Sequence, residues 1–169
     1  AVGRPRPRRI PALAAAEAAY ANPKLPNRDA ALKPLYTEVI TRCTKFLPAY
    51  PESPDINLVR HGLGLAHYRL GEFEKAAGVF KQIPAADRSG DNLTTSYFLA
   101  DCLLRTSPEV AEDALAGGQL LDASGEAVKL LETFIASSPP TSPQIPDALV
   151  KLGDAQLRQR IAAGPHGVG

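Results

Sequence analysis

The residues that could carry chemistry in this chain are few, and their spacing argues against catalysis. His61 and His67 stand six apart, so on a helix they point to different faces and cannot grip a metal as an i, i+4 pair would. His166 sits in a glycine-rich tail. Glu112 and Asp113 are neighbours; on a helix they diverge and form no acid/base dyad. Cys43 and Cys102 are too few for a disulfide scaffold or a structural zinc site, and a nucleophilic cysteine needs a positioned histidine. No phosphate-cradling glycine loop with Lys-Ser/Thr occurs, and no His-Glu-x-x-His. Gly117-Gly118 reads as an ordinary helix stop. No catalytic residue, metal ligand, cofactor or small-molecule substrate is expected, and the chain does not read as an enzyme.

The elements that would position any side chain come next. The chain has 169 residues, 44% hydrophobic and 22% charged, ordinary for a soluble globular protein of about one domain. Its 19 basic and 18 acidic residues give a net charge of +1. No apolar run approaches the ~18 residues of a membrane span. Methionine is absent, even at position 1, as expected of a processed or trimmed chain or a piece of a longer one. Residues 1–11 form an Arg/Pro arm that can neither fold into a helix nor bury much, so it reads as extended or disordered. Removing Arg4, Arg6, Arg8 and Arg9 from the 19 basic residues leaves 15 against 18 acidic, a body of net −3. The arm is the one place suited to nucleic acid or an anionic membrane surface; a solvated tail is the plainer reading. A cleaved signal peptide is a third: the basic stretch precedes Ile10 to Ala19, with Ala19-Tyr20-Ala21 as the cleavage site. Against it, Glu17 falls inside an Ala-rich segment.

The rest reads as helix after helix. Ala12 to Ala21 has high helix propensity and stops at Asn22-Pro23. Ala30 to Ala49 carries Leu35, Val39, Cys43, Phe46 and Leu47 at helical spacing. Further helices are expected over Ile56 to Leu70, Phe73 to Ile83, Leu93 to Arg105, Glu109 to Ala116, Glu126 to Ala136 and Asp147 to Arg160, with Gly71 and Gly125 at junctions. No β-branched alternating run appears, so the fold class is all-α.

Internal repetition then sets the architecture. Phe46 and Phe134 each open a segment that reaches Pro five residues later and then Ser-Pro. Each segment leads into a helix with Leu-Gly, at Leu63-Gly64 and Leu152-Gly153, and Leu99-Ala100 offers the same pair between them. Gly64 to Ala100 spans 36 residues, and Ala100 to Gly153 spans 53, which is one repeat plus an insertion at about 107–124. Such periods mean a solenoid of helical hairpins, here about three and a half of them. Cys43 and Cys102 then fall about two repeats apart, beyond the ~7 Å that a disulfide spans between Cα atoms, and are expected as unbridged core thiols.

The run Leu63-Gly64-x2-His67-Tyr68-x2-Gly71-Glu72-Phe73-x2-Ala76-x3-Phe80 resembles the tetratricopeptide repeat. Ala127-x3-Leu131-x2-Phe134-x4-Pro139 matches the second-helix half of another unit, and Leu149-x2-Leu152-Gly153 opens one more. The resemblance covers roughly residues 30–160, and the repeat domain is expected over 12–160, followed by a flexible glycine-rich tail at 161–169. It implies a right-handed α-solenoid of antiparallel hairpins, with Gly64 and Ala76 small where helices cross and Leu63, Phe73 and Phe80 filling the seam. His67 takes a consensus aromatic position packed between helices. The sequence departs from the pattern where Pro84 ends its helix early and in a first hairpin that matches only by half. The Tyr-Pro-x-Ser-Pro linker also resembles bacterial envelope members of the family, the periplasmic Tol-Pal partner and the barrel-assembly lipoprotein, which implies a periplasmic setting. Unpaired cysteines point instead to the cytoplasm.

By the same resemblance, the first helix of each hairpin lines a concave groove, with groove positions one, four and five residues after the small Gly or Ala. These are Leu65, Tyr68 and Arg69, then Asp101, Leu104 and Arg105, then Asp154, Leu157 and Arg158. Arg recurs in all three units beside an apolar or aromatic residue, a pattern suited to an extended acidic peptide or a free carboxylate. Asp101 and Asp154 stand i, i+4 to Arg105 and Arg158 and can hold them in place. The expected function is an interaction scaffold binding a protein or peptide in the groove, with each Arg→Ala change weakening capture and sparing helicity. The alternative is a structural subunit or section of a larger repeat assembly without a separate ligand. Its mark is the last helix, where Leu149, Leu152 and Leu157 lack a second helix to cover them, so assembly would run through this uncapped end.

Overall fold

The computed structural model describes residues 10–164. The basic arm with Arg4, Arg6, Arg8 and Arg9, and the tail with His166, lie outside the described residues. Among those described, the protein is all-α: seven α-helices and two single 3-10 turns, with no strand. The chain divides into two compact units, one ending at Asn92 and the other beginning at Leu93.

The first unit holds α1 (Pro11–Ala21), α2 (Arg28–Ala49), α3 (Ile56–Arg69) and α4 (Phe73–Lys81), then the 3-10 turns Ala85–Asp87 and Gly90–Asn92. Helices adjacent in sequence pack on one another, around a core that includes Ala16, Leu32, Tyr36, Val39, Cys43, Val59, Leu63 and Ala66. Two local devices fix the α3–α4 hairpin. Gly71, at φ +76°, reverses the chain as a Schellman motif: its N–H donates to Tyr68 O at 3.0 Å and that of Glu72 to His67 O at 2.9 Å. At Gly64, a Cβ atom would lie 2.5 Å from the Phe80 ring. Phe80 is fully buried, so its ring takes the place a side chain at position 64 would occupy.

The second unit holds α5 (Thr95–Thr106), α6 (Ala114–Ser137) and α7 (Ile145–Ala163). Here the structure corrects the sequence reading. Glu109 to Asp113 is not helical, and α6 runs unbroken through Gly117, Gly118 and Gly125, which neither stop a helix nor mark a junction. A glycine inside a helix costs about 1 kcal/mol relative to alanine. Against that, α6 buries Leu120, Ser124, Ala127, Leu130, Leu131 and Phe134 along one face, and each large apolar side chain contributes about 1.5–3 kcal/mol. The start is set by Asp113, extended at φ −144°, whose carboxylate accepts from Ala116 N–H at 2.8 Å. Asp113 is therefore a helix cap. Residues 107–124 divide into a connection (107–113) and the first turns of α6.

Candidate functional site

The nine groove candidates fall into separate places. In the first unit, Leu65 is buried and Tyr68 is half-buried, its ring edge-on to Phe73 at 5.4 Å. Arg69 is locked from two sides by α1. Its Nε and one terminal nitrogen donate to the two Glu17 carboxylate oxygens at 3.0 and 2.9 Å, and its guanidinium lies 3.9 Å from the centre of the Tyr20 ring. Tyr36 donates its hydroxyl to the same carboxylate. Burial lowers the Arg69 pKa, but the hydrogen bonds and charge of Glu17 outweigh it and hold the group above its ordinary value. Burial, then Glu17, push the Tyr36 phenol up. Arg28 caps the end of α1 by donating to the carbonyls of Tyr20 and Asn22. Arg69 thus ties α3 to α1, and its substitution affects stability as well as any binding.

In the second unit, Asp101, Leu104, Arg105, Asp154 and Arg158 come together across α5 and α7. Asp101 is 3% exposed and accepts from Arg105 Nε at 2.7 Å and from Lys151 Nζ at 2.9 Å. Lys151 also meets Asp147 at 3.2 Å, and Asp147 accepts from the Tyr97 hydroxyl at 2.5 Å. Burial works against the Lys151 charge, but Asp101 and then Asp147 overcome it and raise the pKa. Arg158 pairs with Asp154 at 2.9 Å and donates to the Leu104 carbonyl at 2.8 Å, in the last turn of α5, where carbonyls lack helical partners. Leu104 thus contributes a backbone oxygen while its side chain is buried. The Arg105 side chain keeps 48% of its surface exposed, and Leu157 is exposed.

The three arginines consequently have three environments. Arg69 is held by an aromatic ring and a carboxylate, Arg158 by a helix end, and Arg105 by one buried aspartate at the surface. Sequence reasoning missed Glu17, Tyr20 and Tyr36 in the first unit and Lys151, Asp147 and Tyr97 in the second. The i, i+4 pair Asp147/Lys151 was a usable signal; the contact between Glu17 and Arg69, 52 residues apart, had none.

Of the remaining candidates, His61 and the two cysteines are buried and His67 is half-buried. His61 is buried beside Phe80, with ring centres 5.9 Å apart, and burial lowers its pKa to about 4. His67 Nδ1 and Glu72 Oε2 are 2.7 Å apart; Lys75 and then His67 hold the Glu72 carboxyl below its ordinary range. Cys43 and Cys102 are free, buried thiols, pushed up by desolvation to about 11 and about 12. Among the described residues no cluster of three His, Cys, Asp or Glu is placed to hold a metal ion, and no helix is long and apolar enough to cross a membrane.

In comparisons with known proteins, the chain matches no family model, no curated protein and no solved structure. The class defined by the fold is an all-α protein of packed helices in two units.

Proposed function

We propose that this chain is a tetratricopeptide-type interaction scaffold that captures a protein or peptide segment bearing acidic side chains or a free carboxylate. The observation that carries this reading is the α5–α7 cluster. A buried carboxylate, Asp101, holds the half-exposed Arg105 side chain in one orientation while Lys151 shares the charge. Keeping a carboxylate out of water is costly unless its partners are well placed, and here that cost sustains an oriented guanidinium at the surface. A guanidinium so fixed loses little freedom when it binds a carboxylate. The exposed Leu157 and the tetratricopeptide pattern of the sequence add to the reading. The Tyr-Pro-x-Ser-Pro linker supports a bacterial cell-envelope setting, with the periplasm as the compartment.

Fluorescence anisotropy with short acidic, neutral and basic peptides tests this on the full chain. Acidic peptides are expected to bind, more weakly as salt rises. Arg105→Ala is expected to weaken that binding roughly tenfold, the equivalent of one charge-assisted hydrogen bond. Equal affinity for all three peptide classes, or full affinity in Arg105→Ala, would remove the basis for the proposal.

A further inference from the structure

Two recesses of the first unit meet at the start of α3. One, of about 550 Å³, is mainly apolar, with Ile10 and Phe46 in its wall. The other, of about 310 Å³, is polar and takes Asp87, Asp91 and Asn92 from the turns that follow α4. Asp55 and Leu58 belong to both walls. The polar recess is rich in acceptors and poor in cations: it holds three carboxylates, and among the described residues no Lys or Arg lines it. The neighbouring Arg60 donates to Asn57 and the Gln82 carbonyl, and Arg88 to the Ile83 carbonyl. Asp87 accepts from the Asn57 amide at 2.9 Å, but no ion pair among the described residues neutralises Asp87 or Asp91. Asn92 adds a buried side-chain oxygen that has no donor among the described residues. A buried acceptor without a donor is costly and rare, so this wall is short of hydrogen-bond donors as well as of positive charge.

The sequence supplies both, close by. Ile10, in the wall of the apolar recess, is preceded directly by Arg4-Pro5-Arg6-Pro7-Arg8-Arg9. An extended chain covers about 3.1 Å per residue, so six residues reach about 19 Å, enough to pass two recesses that, as spheres of their volumes, are about 10 and 8 Å wide. Each guanidinium brings five donors and a permanent charge, which suits carboxylates and an amide oxygen together. Little affinity is needed, because a short tether supplies a local concentration of the order of millimolar. We propose that residues 4–9 of this chain dock along this edge of α3, with arginine guanidinium groups seated among Asp55, Asp87, Asp91 and Asn92. The arm is thereby an internal ligand, and the polar recess is a site for an Arg/Pro segment. This assignment does not depend on peptide capture at Arg105.

A fluorescein-labelled peptide of residues 1–9 tests the recess, and competition by the chain's own arm tests its occupant. The recipient is the full chain carrying Arg4→Gln, Arg6→Gln, Arg8→Gln and Arg9→Gln, which opens the recess without shortening the protein. Anisotropy is expected to report binding that weakens as salt rises. Binding to the unaltered chain is expected to be at least tenfold weaker, because its own arm competes. Adding Asp87→Asn and Asp91→Asn to the recipient is expected to weaken the peptide at least tenfold. Both aspartates are exposed, so the far-ultraviolet circular dichroism is expected to stay the same. Arg105→Ala is expected to leave this peptide's affinity unchanged, which keeps the result separate from acidic-peptide capture. No binding to the neutralised chain overturns the proposal, as does binding that ignores the two Asn changes. Equal affinity for the neutralised and the unaltered chain means a recess open to another basic segment, and overturns the occupant. Competition that vanishes on dilution of the unaltered chain means that the arm comes from a second copy, and overturns docking within one chain.

Discussion

Leu63-Gly64 and Leu152-Gly153 are the same dipeptide, each within a long helix, yet their surroundings are opposite. At Gly64 the Phe80 ring fills the volume a side chain would need. At Gly153 the surface is open and its neighbours Leu149, Val150 and Leu157 are exposed. After α3, the Gly71 turn returns α4 across Gly64; α7 packs on α6 by another face, and among the described residues nothing lies within 4 Å of a Cβ at Gly153. A glycine that costs helix propensity is thus required in one place and unconstrained by the fold in the other.

The largest expected effect comes from filling the covered site. Gly64→Val places atoms 2.5 Å or less from the ring of the fully buried Phe80. Overpacking costs about 1–3 kcal/mol and sometimes more, and so close a clash belongs at the upper end, about 3 kcal/mol. Gly153→Val is expected to stay within about 0.5 kcal/mol, as surface changes do. Urea unfolding of the two variants measures the contrast, and equal losses would show that the two sites are alike.

Acid distinguishes the two regions in a second way. His61 sits beside Phe80, and burial keeps its folded pKa near 4, below the ordinary 6.5; Glu17 and Asp91 pull only weakly the other way. Between those pH values the unfolded chain binds a proton that the folded chain refuses. Stability is therefore full above about pH 6.5 and falls as pH drops toward 4. The limit of the loss is about 3.5 kcal/mol, at about 1.4 kcal/mol for each pH unit between the two values. Below about pH 4 this contribution stops changing. His61→Gln is expected to flatten the profile. α7 and its unit contain no described histidine, so amide protection factors, which correct for the intrinsic slowing of exchange in acid, are expected to fall between pH 6.5 and 5 in α3 and α4 before α6.

Arg69 and Arg105 give a smaller contrast. Arg69→Ala leaves Glu17 beside Tyr36 and uncovers the Tyr20 ring. Removing one partner of a buried pair costs about 3–5 kcal/mol; the Glu17 side chain is 30% exposed, and solvent reduces the expected loss to about 2 kcal/mol. Arg105→Ala is expected to cost less than about 1 kcal/mol, because its side chain is 48% exposed and Lys151 still neutralises Asp101. Thermal melts of the two variants decide it, and a larger loss at Arg105 would reverse the ranking.

These contrasts also mark what the residues disclose by themselves. Helix periodicity and the Pro and Asn breaks place α1 to α5 and α7 within a few residues, because those signals are local. The Gly71 reversal and the close crossing at Gly64 are legible in the Leu-Gly and Gly-Glu-Phe spacing. The unity of α6 is not. Gly117, Gly118 and Gly125 read as breaks because glycine propensity is local, while the apolar face that outweighs it is tertiary. Asp113, an Asp just before an Ala/Leu run, carries a cap signal, but its neighbour Glu112 draws attention to a pair of diverging acids instead. The Arg-Asp pairs on α5 and α7 follow from i, i+4 spacing. The Glu17–Arg69 tie does not, since no pattern in a single chain relates a carboxylate on the first helix to a guanidinium 52 residues later.

The smallest effect tests the comparison most sharply, because one substitution should change sign with position. In an open helix surface, Gly→Ala gains about 1 kcal/mol by restricting the unfolded chain and shielding the backbone. Gly118 of α6 has nothing within 4 Å of an added Cβ, and Gly153 of α7 is likewise open, so both alanine variants are expected to stabilise by about that amount. At Gly64 the same methyl meets the Phe80 ring at 2.5 Å, and the propensity gain is exceeded by a packing loss of about 2 kcal/mol. The measurement is urea unfolding, at protein concentrations low enough that any association through α7 is dissociated. Gains at 118 and 153 with a loss at 64 would show that a covering helix makes glycine necessary. A gain at 64 would mean that Phe80 yields, and the close crossing of α3 and α4 would no longer account for the glycine there.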